Sequence, residues 1–255
     1  IPCDEINSLL RDRFNNIWLG SIGGGVLMID TKQSPFTFYS LNLAEDDVPT
    51  TAVRALFADA DKDLWLGTGS YGLARKDYET GVLSFFSHIP EFSDVPGVPT
   101  VNYIIQRKNG EVWFATYDGG ILIYEKGEKV KVLTESDTPY LYSDCVSALC
   151  EDSKGNCWVG CRGGMGISLA DGGHYRFGTL SFAGGGLADW YHVKDIVEDA
   201  DGSFWIATAN YGIIHIMGDV QHPETLKYSN YSYNNGQLAT NSVLCLHVDK
   251  SGRLW

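Results

Sequence analysis

Short apolar segments alternate with polar turns along the whole of this 255-residue chain, and the alternation is periodic. Branched apolar residues stand nine and twelve positions before each of six tryptophans, and polar residues or glycine stand three and six positions before it. The tryptophans recur every 45 to 50 residues, as Trp18, Trp65, Trp113, Trp158, Trp205 and Trp255. Because six copies agree at several fixed offsets, the sequence predicts an array of similar structural units.

The copy around Trp65 shows what one unit contains. Residues 53–58 and 64–68 are short segments rich in strand-forming residues, and the polar residues between them predict a tight reversal. Segments 73–76 and 82–86 follow, each after a turn that contains glycine, and complete a set of four predicted antiparallel strands. Four strands in about 47 residues match the size of one β-propeller blade.

The predicted fold is therefore all-β, a β-propeller of four-stranded antiparallel blades. Almost no helix is expected, because no segment keeps a 3.6-residue apolar period. The chain is expected to form a single propeller region over 1–255, with five complete repeats and half of a sixth. Since closed propellers commonly have more than five blades, the sequence favours a fragment of a seven-bladed propeller over a complete five-bladed ring. The predicted blades span 6–40, 53–86, 101–133, 145–182, 193–231 and, for the partial one, 243–255.

Each blade is a twisted sheet with two apolar faces that it cannot bury alone, and stacking blades buries both. The six repeating tryptophans are predicted to fill the gaps between adjacent blades. Five of the six residues six positions before them are acidic. These acids stand in the hairpin turns, where a carboxylate is predicted to cap backbone amides.

The charge of the chain excludes two classes of partner. The formal net charge is −13. Nucleic acid and anionic membrane surfaces both require a basic protein surface, so neither is expected as a partner of this region. No apolar run reaches the roughly 18 residues of a membrane span, and no direct membrane contact is expected. The sequence begins without methionine or a signal peptide, which indicates a mature or trimmed piece.

The cysteines do not predict a metal site, because no two of them form a C-x-x-C pair. They are Cys3, Cys145, Cys150, Cys157, Cys161 and Cys245. Two pairs flank one predicted hairpin turn, which leaves a disulfide or a zinc site open. Free buried thiols that act as small hydrophobic side chains are favoured. No metal and no cofactor is predicted.

The repeat pattern D-x-x-G-x-x-W-[IVLF]-[GA]-[TS], followed a few residues later by G-[LIV], resembles the two-component regulator propeller repeat. Matching stretches lie at 12–26, 59–73, 152–161 and 199–213. The third copy has Arg107 where the aspartate is usual but keeps Gly110 and Trp113. The fourth copy has Cys161 where threonine is usual and one extra residue before Gly166. The resemblance covers essentially the whole chain.

This resemblance implies a sensor role. Such repeats build the periplasmic sensor region of hybrid two-component systems, chiefly of gut Bacteroidetes. The family's ectodomains usually contain two seven-bladed propellers and a β-sandwich, followed by a membrane helix and a cytoplasmic histidine kinase. They detect oligosaccharides and switch on glycan-degrading genes. The resemblance therefore implies an oligosaccharide ligand, adjoining propeller and β-sandwich domains, a homodimer in the full-length form and no catalysis in this region.

Candidate ligand-binding residues are those that break the repeat in the turns between second and third strands. Tyr71, Tyr117 and Tyr211 are predicted to form an aromatic rim suited to the apolar face of a sugar ring, with Asp118 and Asn210 beside them. Packing of the tyrosines against a neighbouring blade connection is an equally open interpretation.

A second group of candidates lies around the fourth and fifth repeats. Arg162 can pair with a sulfate or a uronate carboxylate, although a surface salt bridge is the simpler role. Trp190, Tyr191 and His192 follow a glycine-rich run, where Trp190 is predicted to stack on the ligand and His192 to make a pH-sensitive contact. The alternatives are that Trp190 plugs a channel or covers a blade edge, and that His192 is structural.

No catalytic motif is present in the sequence, whether a nucleophile elbow, a zinc-protease helix or a phosphate-binding loop. Two alternatives to ligand sensing stay open. One is a propeller glycoside hydrolase or lyase, which requires convergent carboxylates in a cleft. The other is a protein-binding scaffold, which requires a flat apolar face.

Overall fold

The computed structural model forms two compact units, Ile1–Val132 and Leu133–Trp255. Each unit is a series of four-stranded antiparallel sheets in which strands follow one another in sequence order. The structure describes residues 5–22, 25–30, 34–39, 52–69, 72–95, 97, 99–138, 141–171, 174–179, 192–220, 222 and 225–255.

The first unit contains three sheets, with the last strand of the third reaching Leu133. The first sheet consists of β1 (Ile6–Arg11), β2 (Ile17–Ser21), β3 (Gly25–Asp30) and β4 (Ser34–Tyr39). The second consists of β5 (Val53–Ala58), β6 (Leu64–Thr68), β7 (Leu73–Lys76) and β8 (Leu83–Phe85). The third consists of β9 (Val101–Gln106), β10 (Val112–Thr116), β11 (Ile121–Tyr124) and β12 (Lys131–Leu133).

The second unit contains two sheets and a final hairpin. The fourth sheet consists of β13 (Val146–Glu151), β14 (Cys157–Cys161), β15 (Gly164–Asp171) and β16 (His174–Thr179). The fifth consists of β17 (Val193–Glu198), β18 (Phe204–Thr208), β19 (Ile213–Met217) and β20 (Lys227–Tyr231). Residues 243–255 form a hairpin with one bridge between Val248 and Leu254, where the half repeat was predicted.

Five consecutive four-stranded meanders confirm the predicted all-β class. Two single 3-10 turns, Phe86–His88 and Pro90–Phe92, connect the second sheet to the third. The assignment of 1–255 to a single propeller region with the blade limits given above stays a prediction.

The turn between the first and second strands has the same backbone in every copy. In the second sheet, the Lys62 amide donates to the Asp59 carbonyl and the Asp59 amide to the Asp63 carbonyl, both at 3.0 Å. This three-residue loop requires a left-handed residue three positions before the tryptophan. Positive φ angles occur there at Asn15, Lys62, Gly110, Gly155, Gly202 and Gly252. The backbone therefore explains the repeating glycine.

The acidic residue that opens this turn also binds the tryptophan. The Trp65 indole donates to Asp59 Oδ2 at 2.7 Å, and Asp59 Oδ1 accepts from the Asp63 amide at 2.9 Å. Each carboxylate thus caps the turn, as predicted, and ties the turn to the strand that follows. The same acid–indole bond measures 2.9–3.0 Å in Trp18–Asp12, Trp158–Asp152, Trp205–Asp199 and Trp255–Asp249.

The third sheet makes the acid–indole bond with a different residue. Arg107 replaces the usual aspartate, and its guanidinium lies 4.8 Å from the centre of the Trp113 ring. Glu111, two residues before the tryptophan, accepts the indole hydrogen bond at 3.0 Å. Asn109 Oδ1 caps the Glu111 amide at 3.1 Å. Glu111 and Asn109 together therefore make the indole and turn hydrogen bonds that a single aspartate makes in the other repeats.

Three of the repeating tryptophans, Trp18, Trp65 and Trp158, fill the spaces between successive sheets within a unit, as predicted. The Trp205 ring instead contacts His215 and Tyr231 of its own sheet. The buried Trp65 ring lies 5.1 Å from the Phe114 ring and 5.0 Å from the Tyr124 ring of the third sheet. The buried Trp158 ring stacks on Phe204 of the fifth sheet at 3.9 Å. Trp255, in the final hairpin, is 67% exposed.

Close backbone approach fixes the spacing between successive sheets. Glycine stands two positions after the tryptophan in the first, second and fourth repeats. A Cβ at Gly67 would lie 2.7 Å from the Val101 carbonyl oxygen, and a Cβ at Gly160 would lie 2.5 Å from Val193 Cγ1. The first strand of the next sheet therefore rests directly on this glycine, and the valine that opens each repeat is its contact.

The described cysteines are free thiols. Cys145, Cys157 and Cys161 are buried, Cys150 is partly buried and Cys245 is exposed. Burial raises the pKa of Cys150 and of Cys161 to about 12, so both thiols stay protonated at neutral pH. Cys3 lies outside the described residues.

We expect Glu111→Ala to lower the free energy of unfolding by about 1–3 kcal/mol, because it leaves the buried Trp113 indole without its acceptor. Arg107→Asp in the same chain should recover most of this loss, since it restores the carboxylate used by the other repeats. Urea unfolding of wild type, both single variants and the double variant measures this. Additive losses in the double variant would contradict the assignment.

The contact between Gly160 and Val193 predicts a size dependence. Gly160→Ala is expected to cost about 1–3 kcal/mol by forcing the fifth sheet away from the fourth. Val193→Ala also destabilises by creating a cavity, but the double variant should lose less than the sum of the two because the new methyl group occupies the vacated space. Urea denaturation midpoints test this, and strict additivity would show that the two residues are not in contact.

Candidate functional site

In each four-stranded meander the first and third turns lie at one end of the sheet and the second turn lies at the opposite end. We call these the first-turn end and the second-turn end. The repeating threonine and glycine build the second turn. In the fifth sheet the Thr208 hydroxyl donates to the Gly212 carbonyl at 2.9 Å and accepts from the Tyr211 amide at 2.9 Å. Gly212 has a φ of 78°, which a glycine adopts without strain.

The described tyrosine candidates lie on exposed second turns. Tyr117 is 51% exposed and Tyr211 is 38% exposed, with the neighbouring Asp118 and Asn210 also exposed. The two tyrosines are not at equivalent positions. The Tyr117 amide still pairs with the Thr100 carbonyl at the end of the strand, whereas Tyr211 sits two positions further into its turn. Each presents an accessible ring at the second-turn end of its own sheet.

The second turn of the fourth sheet is shorter than the others, so the prediction of one extra residue before Gly166 was wrong. The short turn places Arg162 at its tip. Cys161, which replaces the turn-forming threonine, pairs directly with Gly164. Only Arg162 and Gly163 connect β14 to β15, and Gly163 has a φ of 100°. Arg162 is exposed, and the described part of the chain shows no ion pair for it. The predicted surface salt bridge for Arg162 is therefore not found among described residues.

Packing between the fourth and fifth sheets brings Arg162 close to His192. Gly160 rests on Val193, so the residue two positions after Gly160 and the residue before Val193 meet at the second-turn end. The Lys194 ammonium donates to His192 Nε2 at 3.2 Å. Arg162, His192 and Lys194 therefore form a basic cluster, although the chain as a whole carries a charge of −13.

The basic cluster keeps its histidine neutral. Burial lowers the pKa of His192 below its usual value, and the nearby charges of Lys194 and Arg162 lower it further. The neutral imidazole accepts from Lys194 through Nε2, which leaves Nδ1 as a hydrogen-bond donor. His192 also has a φ of 74°, and its carbonyl accepts from the Ala209 amide at 3.0 Å. The site thus offers two cations and one neutral donor to an anionic group.

The remaining predicted residues fall outside the described part of the chain. They are Tyr71, Trp190 and Tyr191, and their roles stay predictions. Sequence reasoning missed Lys194, and strand alternation could not have found it, because His192 lies before β17 with a positive φ and the pairing register shifts between Val193 and Asp195. It also missed Lys76, a lysine at a strand position that is apolar in the equivalent Tyr124 and Ile216.

The described residues contain neither a candidate membrane-spanning helix nor a candidate metal-binding cluster. No helix among them is long and apolar enough to cross a membrane. No group of three or more histidine, cysteine, aspartate or glutamate side chains in the described ranges is arranged to hold a metal ion.

Five consecutive tryptophan-centred meanders define this chain as a β-propeller protein. The family model described as two component regulator propeller matches residues 143–163, which include β13, β14 and the fourth tryptophan. The resemblance proposed from the repeat pattern is thereby confirmed. The sequence matches no curated protein sequence.

Solved structures share the fold. The extracellular domain of the hybrid two component system BT3049 from B. thetaiotaomicron has a TM-score of 0.76 at 20% identity, covering 98% of this chain and 32% of that one. The corresponding domain of BT4673 has a TM-score of 0.63 at 18% identity, with coverages of 98% and 36%. Virginiamycin B lyase from Staphylococcus aureus has a TM-score of 0.71 at 13% identity, with coverages of 98% and 76%. This chain thus spans about a third of each hybrid-system domain, and propellers similar to it include both sensor domains and an enzyme.

The basic cluster predicts an NMR titration of His192 with a midpoint below the ordinary value of 6.5. Lys194→Met should raise that midpoint, whereas Lys227→Met, which removes an exposed charge from β20, should leave it unchanged. Because the unfolded chain takes up this proton at higher pH than the folded protein, His192 lowers stability as the pH falls below 6.5. A midpoint at or above 6.5 would contradict the assigned environment.

Proposed function

We propose that this chain is a ligand-sensing, extracytoplasmic β-propeller of a hybrid two-component sensor histidine kinase and that it recognises oligosaccharides in the periplasm. The matched repeat and the likeness to extracellular domains of hybrid two component systems support the sensor class. Adjoining propeller and β-sandwich domains, a homodimer and a kinase elsewhere in the full-length protein are part of the same proposal.

The observation that carries the proposal is the composition of the second-turn end. In the second unit, Tyr211 exposes its ring at the second-turn end of the fifth sheet, and the basic cluster places Arg162 beside His192 and Lys194. Tyr117 exposes its ring separately, at the second-turn end of the third sheet in the first unit. Aromatic rings bind the apolar face of a pyranose, and an arginine binds a carboxylate or sulfate through two parallel hydrogen bonds. Acidic sugars carry both features on one molecule.

The second-turn end acts by binding alone in this proposal. A tyrosine ring covers the sugar face, the Arg162 guanidinium neutralises the acidic group, and the His192 Nδ1 hydrogen donates to a hydroxyl or acid oxygen. Ligand binding then favours one packing of the adjoining domains over another, and this shift in conformational population is transmitted to the kinase across the membrane. The size of the shift is set by the difference in ligand affinity between the two packings.

A lyase or hydrolase is the second candidate, and the likeness to virginiamycin B lyase is the observation that favours it. In that case the chain would convert the bound sugar instead of retaining it unchanged. A protein-binding scaffold is the third candidate and would not bind free oligosaccharides.

The test is calorimetric titration of the full chain with neutral, uronate-containing and sulfated oligosaccharides. We expect saturable binding of an acidic member. Arg162→Met should weaken it by roughly 10–100-fold through loss of charge-assisted hydrogen bonds, and Tyr211→Ala by roughly 3–10-fold through loss of stacking. Arg253→Met removes the same charge from the final hairpin turn and should leave the affinity unchanged.

Two outcomes decide against sensing by this region. Absence of binding across the panel refutes the oligosaccharide ligand and favours the scaffold. Recovery of cleaved or unsaturated sugars after incubation, measured by mass spectrometry, favours the enzyme.

A further inference from the structure

A cavity of about 390 Å³ lies between the first and second sheets at the first-turn end, opposite the second-turn end discussed above. Apolar side chains, including those of Leu10, Trp18, Met28 and Leu64, form most of its wall. Its volume falls in the range of small-molecule binding sites, which are apolar pockets with a few polar groups. We call it the Trp18 cavity.

A break in the repeat keeps the Trp18 cavity open. The Trp65 ring is covered by Phe114 at 5.1 Å and by Tyr124, eleven residues after its own tryptophan, at 5.0 Å. The equivalent residue facing Trp18 is Lys76, whose ammonium lies 5.6 Å from the Trp18 ring centre. The flexible Lys76 side chain thus occupies, between the first and second sheets, the position that the Tyr124 ring fills between the second and third.

Two exposed aromatic rings stand at the mouth of the Trp18 cavity. Phe14, in the first turn of the first sheet, and Tyr78, in the third turn of the second sheet, are 44% and 46% exposed. Their rings lie nearly parallel, with centroids 5.9 Å apart and an interplanar angle of 6°. A carboxylate fixes the backbone at each of these residues. The Phe14 amide donates to Asp12 Oδ1 at 2.9 Å, and the Tyr78 amide donates to Asp63 Oδ1 at 2.9 Å.

Four basic side chains line the Trp18 cavity, namely Arg11, Arg13, Lys62 and Lys76. The Lys62 ammonium lies 4.6 Å from the Tyr78 ring centre and 5.9 Å from that of Phe14. Within the described ranges no ion pair involves Arg11, Arg13 or Lys62.

The carboxylates that line the same cavity are already occupied. Asp12 and Asp59 accept the Trp18 and Trp65 indole hydrogens. Asp77 accepts from the amide and the hydroxyl of Thr80, at 2.8 and 2.7 Å. Arg11, Arg13 and Lys62 therefore remain available to an incoming ligand.

We propose that the Trp18 cavity binds a small aromatic carboxylate, whose ring packs against Phe14, Tyr78 and Trp18 and whose carboxylate pairs with Lys62. The apolar wall and the parallel Phe14 and Tyr78 rings favour a planar aromatic ring, which can stack on them. Lys62, with Arg11 and Arg13 beside it in the cavity lining, supplies the positive charge that attracts an anion. This site is separate from the proposed oligosaccharide site and does not depend on it.

The probes are 2-naphthoate and its neutral analogue 2-naphthylmethanol, titrated calorimetrically into the full chain at low and moderate salt. We expect the carboxylate to bind with a Kd below about 1 mM and the alcohol roughly tenfold more weakly, because only the former makes charge-assisted contacts. Added salt should weaken the carboxylate and not the alcohol.

Three variants locate the site. Lys76→Tyr introduces the tyrosine that stands at the equivalent position of the third sheet, Tyr124. The ring should fill the cavity, so this variant should keep the fold and abolish binding of both probes. Lys62→Met removes one charge while retaining the side chain's length, and should weaken 2-naphthoate by roughly tenfold and the alcohol little. Lys108→Met removes an equal charge from the exposed first turn of the third sheet, and it should change neither affinity.

Failure of 2-naphthoate to bind, or equal affinity for the two probes, overturns the proposal. Unchanged binding in Lys76→Tyr places the ligand elsewhere and also overturns it. Should Lys76→Tyr fail to fold by circular dichroism, Lys62→Met against Lys108→Met decides the question. None of these outcomes bears on the oligosaccharide titration, because different residues, in the second unit, carry that binding.

Discussion

The hydrogen bond from a tryptophan indole to an acidic side chain in the preceding turn is the constraint on which the repeat depends. One carboxylate oxygen holds the turn and the other holds the ring, so a single residue fixes both the hairpin and the orientation of the side chain that fills the next interface. A buried indole hydrogen without an acceptor is costly. The third repeat shows how strong this requirement is, because Glu111 supplies the acceptor where Arg107 has replaced the aspartate.

Packing between sheets follows from that orientation. Once the ring is fixed, the glycine two positions later lies against the first strand of the next sheet, and no larger residue fits without displacement. Successive sheets of a unit are therefore held at a spacing set by backbone contact, with aromatic and branched side chains filling what remains. Such an interface is stiff, and a stiff scaffold can hold side chains from two sheets close enough to act on one ligand.

The repeat confines functional variation to the two ends of the sheets. At the second-turn end, a turn shortened by Cys161 places Arg162 beside His192 and Lys194. At the first-turn end, Lys76 replaces an aromatic or aliphatic residue and leaves the cavity beside Trp18 open. In both places a change from the repeat brings basic side chains close to one another, in a chain whose net charge is −13. Residues that depart from the repeat are therefore more informative about binding than residues that conform to it.

The sequence by itself determined the period, the four strands of each repeat, the positive φ of Gly155 and its equivalents, and the role of Trp65 and Trp158 between sheets. These features follow from the spacing of residues along the chain, because their hydrogen bonds and contacts form within one hairpin or between neighbouring repeats of similar sequence. Only the tertiary structure decided that Lys194 joins Arg162 and that the space beside Trp18 is left unfilled. Those outcomes depend on residues some 30 or more positions apart, whose proximity is set by the packing of different sheets and by side-chain volume, which no local pattern records.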